Sequence, residues 1–236
     1  MPELGGGIPL DTCLAEAREA GFEGIELGHK FPPDPALLRP LLARRGLRLI
    51  SGWYSGRLLE RSVAEELEAV EPHRVLLAAM GCTVLVYAET TGGIAGDRTR
   101  PLSSRPSLPE GGWREFGTRL TELADRLAER SLRLAYHHHM GTVVETPAEI
   151  DRLMAATGGS VGLLLDTGIW PLPAPTRPIW HGGMDRASAM STARTSGRVC
   201  WHALAPPMRA FSTPCLMASS PCRVTAGSIS AQCSSR

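Results

Sequence analysis

Apolar positions along this chain keep two alternating rhythms, and the alternation predicts an α/β fold. Residues 12–20 repeat at helical spacing, with Asp11 as candidate N-cap, and Gly24-Ile25-Glu26-Leu27 follows as a short strand. Residues 36–45 read as a helix with Gly46 just past its end, and 47–53 as a strand. A long helical pattern runs over 63–80, broken or bent at Pro72 and closed by Gly81. Then come a β-branched strand at 83–88, an amphipathic helix at 113–130, a strand at 133–137, a helix at 147–156 and an apolar strand at 161–165. Strand and helix alternate about five times, which predicts a parallel sheet with right-handed crossovers. The spacing suits an incomplete (β/α)8 barrel of about five βα units better than a Rossmann sheet, because no G-x-G-x-x-G follows any strand.

The rhythm stops near residue 170. Prolines at 171, 173, 175 and 178 interrupt whatever follows, and no stripe persists for more than a few residues. Charge divides at the same place. Residues 1–169 hold 23 acids and 18 bases, whereas 170–236 hold the single acid Asp185 and seven arginines. Two unlike segments are therefore expected: a partial barrel over 1–169 and a low-order tail over 170–236. The tail carries Cys200, Cys215, Cys222 and Cys233, whose spacings match no zinc knuckle. A formal net charge of +1 argues against a nucleic-acid-binding surface spread over the molecule. No apolar run reaches the roughly 18 residues that span a bilayer, and no signal-peptide pattern opens the chain. The expectation is a cytoplasmic protein with reduced cysteines, no membrane or nucleic-acid partner, and an oligomeric state left open.

Chemistry concentrates where two of the strands end. The strand at 133–137 finishes in His137, His138 and His139 and, past a Gly-Thr turn, Glu145; the strand at 161–165 finishes in Asp166. In parallel sheets that rim carries the active site. Carboxylate oxygens combined with imidazole suit Mn²⁺ or Co²⁺, so Glu145 and Asp166 are candidate metal ligands. Glu145 reads equally well as an acid at the N-terminus of the helix after Pro147, whereas Asp166 directly after three leucines is a costly end to a buried strand without such a role. Strand alternation puts His137 and His139 on one face and sends His138 towards helices or solvent. Glu26 and Glu89 end strands and suit either substrate contact or loop capping. Trp53 and Tyr54 suit a pocket wall, and Lys30 suits an oxyanion contact or solvent. Cys13 and Cys82 read as inert core residues, and His73 as exposed.

Five ordered blocks carry a family resemblance: Gly-Phe-Glu-Gly-Ile-Glu-Leu-Gly (21–28), Ser-Gly-Trp-Tyr-Ser-Gly (51–56), Ala-Glu-Thr-Thr-Gly (88–92), His-His-His-Met-Gly-Thr (137–142) and Leu-Leu-Leu-Asp-Thr-Gly (163–168). Over residues 2–168 the chain resembles the inosose dehydratases of bacterial inositol catabolism, members of the xylose-isomerase-like superfamily of (β/α)8 barrels. The resemblance implies a hydro-lyase that converts 2-keto-myo-inositol (scyllo-inosose), a small cyclitol, to a trihydroxycyclohexane-1,2-dione with a divalent metal. It implies catalytic roles for His137 and His139, metal ligation by Glu145 and Asp166, and substrate contact by Glu26, Lys30, Trp53, Tyr54 and Glu89. A sugar isomerase or epimerase of the same superfamily is the alternative activity, and an inactive fragment the alternative from another class.

The resemblance also implies a strand before residue 1 and a His-Val-His-Cys-Lys-Asp strand after Asp-Thr-Gly, and neither is present here. Back-translation of residues 186–203, read from the third base, permits Ser-His-Val-His-Cys-Lys-Asp-Val. The same shift over 217–226 permits Gly-Val-Phe-Thr-Val-Pro-Gly-Asp-Gly. The tail is therefore expected to be translated out of frame from close to Ile169. Sequencing the gene across the codons for 160–200 should show the histidine-rich string in another frame, and a gene without it would dispose of the expectation.

Overall fold

The computed structural model describes residues 6–97 and 99–166 and, as backbone, Ala187–Thr195 and Arg198–Ala203. The elements are α1 (Leu10–Glu19), β1 (Gly24–Leu27), α2 (Pro35–Ala43), β2 (Arg48–Gly56), α3 (Val63–Ala79), β3 (Val84–Glu89), α4 (Gly112–Ala128), β4 (Arg133–His137), α5 (Pro147–Ala156), β5 (Val161–Asp166), β6 (Ala187–Thr195) and β7 (Arg198–Ala203). Strands β1 to β5 lie side by side in chain order, every pair parallel. Each crossover is a helix, as the alternating rhythm predicts.

Local chemistry fixes where helices begin and end. Asp34 caps α2 by accepting from the Ala36 amide at 2.8 Å, with Pro35 at the first helical position. Ser62 and Glu65 form a reciprocal capping box at the start of α3, and Thr146 and Glu149 form another at α5. Gly46 and Gly81 follow α2 and α3 at φ +64° and +79°, a left-handed turn that a side chain would strain. Two local expectations need correcting. Asp11 is not the cap of α1: Pro9 holds that place, and Asp11 lies in the first turn, where it takes Arg45 as an ion-pair partner. Helix α3 continues through Pro72, whose ring is on the exposed side.

The helices cover one face of the sheet. The amphipathic stripe of α4 (Trp113, Phe116, Leu120, Leu123, Leu127) meets Leu85, Tyr87, Leu134, Tyr136 and Leu163 from the strands. Fully burying one such side chain contributes about 1.5–3 kcal/mol. The opposite face has its own, smaller apolar group: Val84, Val86, Ala135 and Leu164, with Ile50 and Trp53 against them. Two-sided burial explains why β3 reads as a continuous apolar run.

The sequence pattern assigned no element beyond residue 169, yet the sheet continues. Strand β6 pairs parallel with β5, and β7 pairs antiparallel with β6. An open strand edge offers unpaired amides and carbonyls to any extended backbone, a template that apolar periodicity does not report. The rest of 170–236, with the expectation that it is a low-order, out-of-frame tail, lies outside the described residues.

At the end of β2, Gly56 faces the Tyr87 ring so closely that a Cβ would overlap it. Gly56→Ala should therefore destabilise by about 1–3 kcal/mol in urea unfolding through overpacking. Gly159→Ala, with nothing near its Cβ, should be close to neutral; equal effects would remove the steric explanation.

Candidate active site

Alternation along the strands decides which side chains share the face away from the helices. On β4, Leu134 and Tyr136 point to the helices, so Ala135 and His137 point the other way. On β5, Leu163 packs on the helices, which leaves Leu164 and Asp166, two residues apart, together on the other face, where Asp166 meets His137. His137 Nε2 lies 3.3 Å from Asp166 Oδ2; the two residues are 6% and 3% exposed. His137 Nδ1 is buried without a hydrogen-bond partner among the described residues. Trp53, on the inner face of β2, stands edge-on to His137 and His139, with ring centroids 5.0 and 5.5 Å away. His137 and His139 are thus brought together, as the sequence suggests.

Strand β4 ends at His137, and the chain then turns tightly. His139 N donates to the Val144 carbonyl, and the Thr142 hydroxyl donates to the His139 carbonyl at 2.7 Å. His139 Nδ1 is 2.8 Å from the Met140 carbonyl. A carbonyl can only accept, so the proton is on Nδ1 and, in the neutral ring, Nε2 is the basic nitrogen. His138 turns the other way and is fully buried, with its ring stacked on His137 at 5.7 Å. Burial, aided by the neighbouring His137, pushes its pKa down to about 4. Of the two directions expected for His138, the solvent one is excluded.

Glu145 and Asp166 have different neighbours. Glu145 Oε2 accepts from the Gly141 amide at 2.7 Å and lies 3.5 Å from Arg105 Nε. Arg105 also donates to the Thr142 carbonyl and to Glu149 Oε1, at 3.0 and 2.6 Å. This network ties the long loop after β3 to the turn before α5. The residue found beside Asp166 is His137, because Glu145 comes eight residues after the strand end, next to the N-terminus of α5. Among the described residues, no three His, Cys, Asp or Glu side chains converge as a metal-holding group.

Glu26 also reaches the inner face, because Ile25 and Leu27 on either side of it pack on the helix layer. The register between β1 and β2 shifts between Ile25 and Glu26, so that β2 carries one extra residue and Ser51 comes opposite Glu26. A bulge of this kind re-aims side chains. Buried Ser51 donates its hydroxyl to Glu26 Oε2 at 3.0 Å. Burial pushes the Glu26 carboxyl up to about 7, against the lowering effect of Ser51.

Other candidates fall elsewhere. Glu89 is fully buried, and its oxygens accept from the amides of Leu58, Leu59 and Thr91 at 2.6, 3.3 and 2.9 Å. It caps loops, the second of its two anticipated roles. Burial raises its pKa, and those hydrogen bonds lower it in part. Tyr54 follows Trp53 in the strand and so points to the helices, between His73 and Tyr87; it does not share a wall with Trp53. Burial, then Glu66, raises its pKa. His73 is not exposed: it lies half-buried over Gly52, and burial lowers its pKa. Lys30 donates to the Ile8 carbonyl at 2.5 Å, tying its loop to the start of α1. The Cys82 thiol is buried and pushed up to about 12, which leaves it inert. Sequence reasoning missed Ser51, Arg105 and the buried Glu66, which accepts from Arg57 N, Arg61 and the Tyr87 hydroxyl. Only the helical register of Glu66, among apolar Val63 and Val70, could have revealed any of them.

Residues 14–170 match the family described as the xylose isomerase-like TIM barrel. The chain is 51% identical over 168 residues to the rhizopine catabolism protein MocC of Rhizobium meliloti, covering 71% of this chain and 52% of that protein. It is 42% identical over 170 residues to the inosose dehydratase of Geobacillus thermodenitrificans, covering 71% and 57%. The chain thus spans about half the length of the curated relatives it matches. Among solved structures it is similar to a xylose isomerase-like TIM barrel protein from Mycobacterium smegmatis in complex with magnesium, with TM-score 0.53 at 17% identity, covering 82% of this chain and 71% of that one. An AP endonuclease of family 2 from Brucella melitensis gives TM-score 0.53 at 16% identity, covering 72% and 67%. No helix among the described residues is long and apolar enough to cross a membrane.

The buried, neutral His138 has a consequence for stability. Its folded pKa of about 4 lies below the ordinary 6.5, so the unfolded chain binds a proton first as pH falls. Stability is complete above about 6.5 and declines as pH drops towards 4, by roughly 3 kcal/mol at most. His138→Gln should lose less stability than wild type over that interval in urea unfolding; parallel pH profiles would contradict the burial argument.

Proposed function

The chain belongs to the xylose isomerase-like TIM-barrel family, and we propose that the inner rim of its sheet removes water from a 2-keto cyclitol such as 2-keto-myo-inositol, in inositol catabolism. The observation that carries this reading is the juxtaposition of His137 and Asp166 on adjacent strand ends, with Trp53 against both His137 and His139. The names of the inosose dehydratases among its relatives support the choice of reaction.

The imidazole of His137 and the carboxylate of Asp166, 3.3 Å apart, are two donors of the kind a divalent cation takes. His137 and Asp166 would hold two positions on Mn²⁺ or Co²⁺, and Glu145 would join them on leaving Arg105. When bound, such an ion polarises the ketone and acidifies the neighbouring C–H.

The chain's own residues do the rest. His139 is the base: the Met140 carbonyl holds its Nδ1 proton, so Nε2 takes the α-proton of the substrate. The C–H electrons form a C=C bond with the β-carbon, whose hydroxyl takes up a proton from a second group and leaves as water. The enol that remains relaxes to a 1,2-dione. The face of Trp53 packs against the C–H face of the ring and helps to exclude solvent. Glu26 borders the same side of the sheet as a substrate contact, while Glu89 and Tyr54 support the rim from behind.

Incubation with 2-keto-myo-inositol and Mn²⁺ should give the absorbance of a dione, and His139→Gln should slow its formation by about 10²–10⁴-fold. Asp166→Asn should weaken Mn²⁺ binding in calorimetry by about tenfold or more. Epimerised substrate without loss of water would replace the dehydratase by an isomerase; unchanged Mn²⁺ affinity in Asp166→Asn would remove Asp166 from the ligand set.

A further inference from the structure

Elimination requires a proton for the departing hydroxyl, and the base at the rim does not supply it. We infer that Glu26 is that proton donor, set on the inner face by the alternation of β1 and held there by the hydroxyl of Ser51, which the bulge in β2 brings opposite it. The inference rests on the dehydratase reading and adds to it the second half of the proton transfer.

Geometry carries the argument. Glu26 is the inner-face residue at the C-terminal end of β1, where a parallel sheet places its chemistry. It is half-buried and therefore reachable by a ligand. Among the described residues its one hydrogen-bond partner is Ser51, and none forms an ion pair with it. The other charged or titratable groups of this face and its rim are engaged elsewhere: Asp166 with His137, His139 at the Met140 carbonyl, and Lys30 at the Ile8 carbonyl. A carboxylate there would be desolvated with one hydroxyl as compensation, which favours the protonated form and agrees with a pKa near 7. Ser51 gives its only proton to Oε2, so the acid proton sits on Oε1. Glu66 and Glu89, also buried, lie in the helix layer and the loops behind the rim, where several donors hold their oxygens in place.

The step balances without a further reagent. Nε2 of His139 gains the α-proton while the C–H pair becomes the C=C bond. The β C–O bond breaks, its electron pair stays on oxygen, and that oxygen takes the proton from Glu26 Oε1 to leave as water. The enzyme is restored when the imidazolium loses a proton and the Glu26 carboxylate gains one.

The test compares the full chain with Glu26→Gln on 2-keto-myo-inositol and Mn²⁺ in D₂O. NMR follows exchange of the α-proton, and absorbance follows the dione. In wild type, dione formation should fall as pH rises through about 7, because the donor must be protonated. Glu26→Gln should cut dione formation by about 10²-fold or more and abolish that limb, yet slow α-proton exchange far less. Carbon-13 NMR of glutamate carboxyls should show one near-neutral titration that the variant lacks. Dione formation by Glu26→Gln at the wild-type rate, or parallel loss of exchange and dehydration, would overturn the assignment to Glu26 alone. Absence of exchange and dehydration in wild type would instead overturn the dehydratase reading, and this inference with it.

Discussion

Successive side chains of a β-strand point to opposite sides of the sheet, and this period of two governs what the rim can contain. Helices cover one side, so only every second residue of a strand end reaches the chemistry. Trp53 reaches it and Tyr54 does not; His137 reaches it and His138 does not. Glu89 lies opposite Gly56, which faces Tyr87 in the helix layer, and accordingly it serves the loops behind the rim. The pairing is irregular at two places, between β1 and β2 at Ile25/Glu26 and between β5 and β6 at Leu163/Leu165, and the first of these sets Ser51 opposite Glu26.

Carboxylates removed from water need donors, and the four near this sheet find them to different degrees. Glu89 has three backbone amides. Glu66 has an amide, a guanidinium and a phenol. Asp166 has an imidazole, and Glu26 has one hydroxyl. The fully satisfied pair fastens the chain between β2 and α3: Glu66 holds Arg57 N, and Glu89 holds the amides of Leu58 and Leu59. Glu26 and Asp166 lie on the other face, so the four carboxylates are separated by sheet face, although all are the same kind of group.

The frame of the fold was legible in the sequence because it depends on periodicity. Strands β1 and β4 and helix α5 have the bounds that the pattern gives, and the other elements it predicts differ by a few residues at their ends. That His137 and His139 share one face was legible for the same reason. What the sequence concealed depends on contacts between distant residues. Arg105 meets Glu145 and Glu149 across 40 and 44 positions, and nothing in a loop of prolines and serines marks it as their partner. Pairing of Asp166 with Glu145 was the natural guess from two acids after two strands. It overlooked how far the chain travels in the turn after His139, and that the strand end itself presents an imidazole. His73 looked like a solvated helix residue because the absence of a side chain at Gly52, which makes room for it, lies 21 positions earlier.

The contact between Gly56 and Tyr87 has an evolutionary corollary. Neither site can drift independently: a larger residue at the first is compatible only with a smaller ring, or none, at the second. Tyr87 also supplies the phenol that Glu66 accepts from, so its loss would strip a donor from that carboxylate. Three positions on β2, α3 and β3 are therefore inherited as a set, and descendants of this lineage should change them together or not at all.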